Sequence, residues 1–173
     1  MRRSGNPDRR RFLHAAATSA AAGSMLACSR AGRRYRFLTD AEAAVLGAIC
    51  DQIIPPDEDP GAVEAGVVDF IDRQLTGHYA YWREAYRKGI AEIDEAARRS
   101  FGAGFAACSL DQQAALLKQR QTSSFFRMAR DHTMQGFYGD PRHGGNRDFV
   151  SWRMLGVPHP PVRGRQHYDL TRS

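Results

Sequence analysis

At 173 residues the chain is long enough for one domain with a sizeable core, and its formal charge of +6 at first points to an acidic partner. The excess is unevenly placed: residues 1–28 carry five arginines and one acid, leaving 20 basic and 18 acidic side chains in the rest. A nearly neutral body excludes a nucleic-acid binder built on general charge, and no nucleic-acid partner is expected.

The chain opens with Asp8-Arg9-Arg10-Arg11-Phe12-Leu13-His14, an alanine-rich run to Gly23, and then Ser24-Met25-Leu26-Ala27-Cys28. A basic head before a short, weakly apolar run is too short to span a bilayer, and residues 1–28 read as a signal peptide. Arg9 and Arg10 followed by Phe12 and Leu13 resemble the twin-arginine export signal, which moves folded proteins across the bacterial inner membrane. Asp8 stands where Ser or Thr is usual in that signal. Met25-Leu26-Ala27-Cys28 resembles a lipobox, which makes Cys28 a candidate for lipidation and membrane attachment; cleavage by the ordinary signal peptidase is the alternative.

Residues 29–38 read as a polar tether, and residues 39–136 as the helical domain. Thr39 and Glu42 have the spacing of a capping box, and apolar residues at spacings of three and four predict a helix over 40–54, stopped by Pro55-Pro56. A second helix is expected from Gly66 to Gly77, with Val67, Val68, Phe70, Ile71 and Leu75 facing inward. A third should cover 79–101, with Tyr79, Trp82, Tyr86, Ile90, Ile93 and Ala97 on its inner face. Ser109 and Gln112 form a second capping box for a helix ending near Gln119, with Ala115 and Leu116 buried. A fifth helix is expected over 124–135, closed by Gly136.

No run alternates as a strand would, so the expected fold is all-α, with about five helices. Residues 137–173 are rich in Gly, Pro, His and Arg and read as a long irregular segment, with one turn around 149–155. Phe137, Tyr138, Phe149 and Trp152 are too many aromatics for a solvated tail, so this segment is expected to wrap the body, lie against another protein, or both.

Independent chemistry is sparse. No dinucleotide or phosphate loop, zinc-protease helix or nucleophile elbow is present. The nearest candidate site is Asp131-His132 with His143 and Asp148, a general base pair or part of a metal site. The competing expectation is that His132 is a buried structural histidine. Asp140-Pro141 and Gly144-Gly145-Asn146 suit tight turns, and Arg147 and Asp148 are placed to pin the loop by charge. Cys50 and Cys108 fit no redox or metal spacing, and either is free to join a disulfide, including one to a partner chain.

Several stretches together resemble the gluconate 2-dehydrogenase subunit 3 family. They are Leu38-Thr39-Asp40-Ala41-Glu42, Asp51-Gln52-Ile53-Ile54-Pro55, Asp59-Pro60-Gly61-Ala62 and Ala65 through Asp72. Beyond these come Asp131-His132-Thr133, Gly136-Phe137-Tyr138-Gly139-Asp140-Pro141, Gly144-Gly145-Asn146-Arg147-Asp148, and Trp152, Gly156 and Pro158. The resemblance implies a small subunit of a bacterial membrane-associated dehydrogenase complex, with no catalytic residue and no cofactor of its own. It further implies a large subunit of the glucose-methanol-choline type holding FAD, and a multi-haem cytochrome c subunit carrying haem c. Such a small subunit carries the twin-arginine signal for itself and its large partner into the periplasm. The blocks at 131–133 and 136–152 are then expected to serve architecture and interface. Two other expectations stay open: an independent metal-binding protein or enzyme using His132 and His143, and a lipid-anchored assembly protein.

Overall fold

The structure is a computed structural model in which residues 34–157 are described. Arg9, Arg10, Phe12 and Leu13 of the expected export signal, the candidate lipidation site Cys28, and the segment after Val157 lie outside them.

Six α-helices make up the described body: α1 Asp40–Ile53, α2 Val67–Leu75, α3 Arg83–Phe101, α4 Leu110–Arg120, α5 Ser124–Tyr138 and α6 Val150–Met154. Short 3₁₀ turns at Ala80–Trp82, Phe105–Ala107, Pro141–His143 and Arg147–Phe149 join them. The all-α expectation holds, with one short helix more than expected. No described helix is long and apolar enough to cross a membrane.

Both capping boxes form. The Thr39 amide donates to Glu42 at 2.8 Å while Thr39 accepts from the Glu42 amide, and Ser109 and Gln112 repeat the exchange at the start of α4. Ile54 leaves helical geometry immediately before Pro55, as the proline pair requires.

Helix α1 packs against α2, α3, α4 and α5. It can do so because small and aliphatic side chains surround its axis: Ala43, Val45, Leu46, Gly47, Ile49 and Cys50 are all buried. The inner face of α2 is the expected one. In the third helix the expectation fails at its start. Residues 80–82 form a 3₁₀ turn, and Trp82 points outward with 39% of its surface exposed. In α4 Ala115 is exposed and Gln113 takes the buried position, its amide donating to the carbonyls of Phe105 and Cys108.

Two further corrections concern the ends of the body. Residues 35–38, expected in the tether, lie against the core: Leu38 is buried, and Asp72, itself buried, accepts the amides of Arg36, Phe37 and Leu38 at 2.6, 2.9 and 2.9 Å. Gly136 does not close α5. The helix runs on to Tyr138 because Gly136 sits where α5 meets α2, and a Cβ there would come within 2.8 Å of the Phe70 ring. Phe137 is therefore a core residue of a helix and not part of an irregular tail.

Candidate functional site

The residues singled out in the sequence fall into two places, a buried polar stack between α3 and α5 and a loop folded against α2 and α5. In the stack, His132 of α5 is 7% exposed. Its Nδ1 lies 2.8 Å from the Tyr86 hydroxyl on α3. The Tyr79 ring lies parallel to the imidazole at 4.1 Å, and the Tyr79 hydroxyl donates to Gln135 one turn away. Next to His132, the Thr133 hydroxyl donates to the Ala129 carbonyl at 2.7 Å and lies 3.3 Å from the Cys50 sulfur.

Burial dominates the electrostatics here. It lowers the His132 pKa, with the nearby Asp131 charge acting in the opposite direction. The Tyr86 pKa is raised well above its ordinary value, chiefly by burial and then by Cys50 and Tyr79. The Cys50 thiol is pushed up to about 12, again chiefly by burial, so it stays protonated and unreactive. A neutral imidazole, a protonated phenol and an inert thiol form a structural network.

The candidate Asp131–His132 base pair does not form, and His132 is the buried histidine of the competing expectation. Asp131 is exposed and pairs with Arg130 at 2.8 Å, whereas His132, the next residue, turns inward to Tyr86. His143 ends the exposed 3₁₀ turn at 141–143. Among the described residues no group of three or more His, Cys, Asp or Glu side chains could hold a metal ion. Cys50 and Cys108 are both buried and both free, and Cys108 points toward the carbonyls of Ala103 and Gly104.

The second place is the loop after α5. Asp140 caps its first turn, accepting the Arg142 amide at 3.0 Å, and Pro141 fits the first position of that turn. Gly144 takes a φ of +109°, and Gly145 lies so close to the Gly136 carbonyl that a Cβ would overlap it. Asn146, fully buried and left-handed at φ 45°, spans the loop: its Nδ2 donates to the Gly139 carbonyl and its Oδ1 accepts the Ser151 amide, both at 2.9 Å. Arg147 pins the loop to α2, its amide donating to the Ala65 carbonyl and its guanidinium pairing with Asp69 at 2.8 Å. Arg73 of α2 donates to the Arg142 carbonyl.

Asp148, expected to help pin the loop, makes no hydrogen bond or ion pair among the described residues; it is exposed, at φ 55°. Phe149 follows at φ 59°, its ring 5.7 Å from that of Trp152. The Trp152 indole donates to the Tyr138 carbonyl at 2.9 Å, tying α6 to the end of α5. Residues 140–152 thus fold back against the body, and Tyr138 remains 39% exposed.

Sequence reading missed Asp72 and Tyr86 as functional partners. Asp72 had a signal: it lies on the buried stripe Val68, Ile71, Asp72, Leu75, where a carboxylate needs several donors. Spacing alone puts Tyr86 in the core, but its partner lies 46 residues away and no local pattern names it.

Residues 40–158 match the family model described as Gluconate 2-dehydrogenase subunit 3, and the chain belongs to that family. No curated protein and no solved structure matches the chain.

Proposed function

We propose that this member of the gluconate 2-dehydrogenase subunit 3 family is the non-catalytic small subunit and export escort of a periplasmic dehydrogenase. The catalytic partner in this reading is a large subunit of the glucose-methanol-choline type, which holds FAD and oxidises gluconate or a related sugar or polyol. A multi-haem cytochrome c subunit then takes the electrons. The complex sits at the periplasmic side of the inner membrane, held there by its partners or by a lipid on Cys28. Arg9, Arg10, Phe12 and Leu13 supply the twin-arginine address for the folded pair.

The observation that carries this reading is the family match across residues 40–158. Exposed aromatic surface supports it. Tyr81 is 69% exposed, and its ring lies 5.1 Å from that of Trp82 on the 3₁₀ turn before α3. Exposed aromatic pairs of this kind are common anchors of protein interfaces. A partner bound there is stabilised by mass action, by about 2.7 kcal/mol when the small subunit is present at one hundred times the dissociation constant.

Co-expression tests the assignment. The isolated chain should show no flavin absorbance and no dehydrogenase turnover, and the large subunit made without it should be insoluble or unexported. Replacing Tyr81 and Trp82 by alanine should reduce co-purification of the large subunit while leaving the helical circular dichroism unchanged. Flavin bound to the isolated chain, with substrate turnover, would falsify the proposal.

A further inference from the structure

The exposed Tyr81–Trp82 pair stands on a buried aromatic support. Tyr79 immediately precedes the 3₁₀ turn at 80–82, and its carbonyl accepts the Trp82 amide at 2.8 Å. Its own amide donates to the carbonyl of Gln74, in the last turn of α2, at 2.8 Å. The Tyr79 ring is 9% exposed: the His132 imidazole lies parallel to it at 4.1 Å, and Phe70 meets it edge-on at 6.3 Å. None of the three turn residues is buried. The turn is therefore fastened to the body by Tyr79 before it and by Arg83 after it, whose Nε donates to the Leu75 carbonyl at 2.6 Å.

His132 reaches the same surface a second time, through Tyr86. The Tyr86 hydroxyl lies 2.8 Å from Nδ1, and the Tyr86 ring meets Phe125 edge-on at 5.8 Å. Phe125 lies directly over Gly89, where a Cβ would overlap the ring. Trp82 and Phe125 together line a groove of about 280 Å³, with Ala85, Gly89 and Met128. One imidazole thus touches the supports of both aromatic residues that shape the groove.

We propose that Tyr79 and His132 are positioning residues for this surface: their stacked rings hold the 80–82 turn, and with it Trp82, in the geometry that a partner meets. The role rests on the reading that Tyr81 and Trp82 meet the large subunit. A buried stack is lost only by exposing both ring faces to water, so the turn cannot swing outward without that cost. An exposed ring already held in place loses less conformational freedom when a partner arrives, which strengthens binding without any added contact.

The full chain carrying Trp152→Phe has Trp82 as its sole tryptophan, since the sequence holds two. Acrylamide quenching of Trp82 is compared in that protein and in the same protein carrying Tyr79→Leu, Tyr79→Phe, His132→Asn or Leu117→Ala. Tyr79→Leu should raise the quenching constant about two-fold, as exposure of the ring rises from 39% toward full. Tyr79→Phe keeps the stack and should leave the constant unchanged. Leu117→Ala weakens the buried core in α4, outside the stack, and should also leave it unchanged. His132→Asn removes the other ring of the stack and should act like Tyr79→Leu; it decides the matter if Tyr79→Leu fails to fold. Unchanged quenching in His132→Asn, or an equal rise in Leu117→Ala, overturns the proposal. The readout needs no partner, so it fails separately from the large-subunit reading, whose anchor fails if Tyr81→Ala/Trp82→Ala leaves co-purification intact.

Discussion

The Tyr86 hydroxyl meets Nδ1 of His132 at 2.8 Å, a hydrogen bond that joins α3 to α5 inside the body. Burial favours the protonated phenol and the neutral imidazole, and the imidazole tautomer sets which of the two donates. Tyr86→Phe keeps the ring and removes the hydroxyl, leaving the buried Nδ1 of His132 without its partner. The expected cost is about 1–3 kcal/mol in urea unfolding at neutral pH. An unchanged midpoint would show that water replaces the phenol.

The same pair sets a pH dependence. The His132 pKa is lowered in the folded protein by burial, so at mildly acidic pH the unfolded chain binds a proton that the folded chain does not. The contribution from His132 is complete above the unfolded value near 6.5 and is lost as the pH falls from there toward the folded value. Urea midpoints measured from pH 7.5 down to pH 5 should therefore fall less steeply in His132→Asn than in the parent protein. A parallel pair of curves would assign the slope to other groups.

Asp72 gathers three consecutive amides, from Arg36, Phe37 and Leu38, onto one buried carboxylate. Asp72→Ala removes the acceptor and should cost about 3 kcal/mol, the upper range for hydrogen bonds to a charged group. Hydrogen exchange should locate the effect: amides 36–38 are expected to lose protection first, ahead of those in α2. Uniform loss across the domain would argue against a local anchor.

Asn146 closes its loop with both ends of one amide, from a left-handed backbone. Asn146→Ala loses both bonds and keeps a Cβ at φ 45° without asparagine's tolerance of left-handed backbone, whereas Asn146→Gly loses the bonds but relieves the backbone. The alanine variant should lose about 2–4 kcal/mol and the glycine variant about 1 kcal/mol less. Thermal unfolding of the two variants separates the bonds from the backbone. Equal losses would mean the left-handed geometry costs nothing here.

Ser151 donates its amide to Asn146, yet its own hydroxyl is buried and has no partner among the described residues. Ser151→Ala should be neutral or should stabilise the protein, by up to about 1–2 kcal/mol, because it removes an unsatisfied polar atom. A clear loss of stability would reveal a bound water completing the site.

The parts of this protein legible in its sequence are those encoded locally. Thr39 with Glu42 and Ser109 with Gln112 fix two helix starts, because a capping box is a contact between residues three apart. Pro55 ends α1 through its own ring, and the inward face of α2 follows from spacing alone. The resemblance was legible in the same way, from short blocks read in order, and the family match over residues 40–158 agrees with it.

Only the tertiary structure decided which partners meet. Asp131 and His132 are adjacent in sequence, but successive residues on a helix point about 100° apart, so Asp131 faces solvent and His132 turns to Tyr86. Gly136 reads as a helix stop, yet it remains helical because the Phe70 ring occupies the space a side chain would need. Asp72 finds its donors 34 to 36 residues upstream, where packing of the incoming segment puts them. Capping and periodicity act within a turn or two of the chain, whereas these choices depend on how whole helices exclude water from one another.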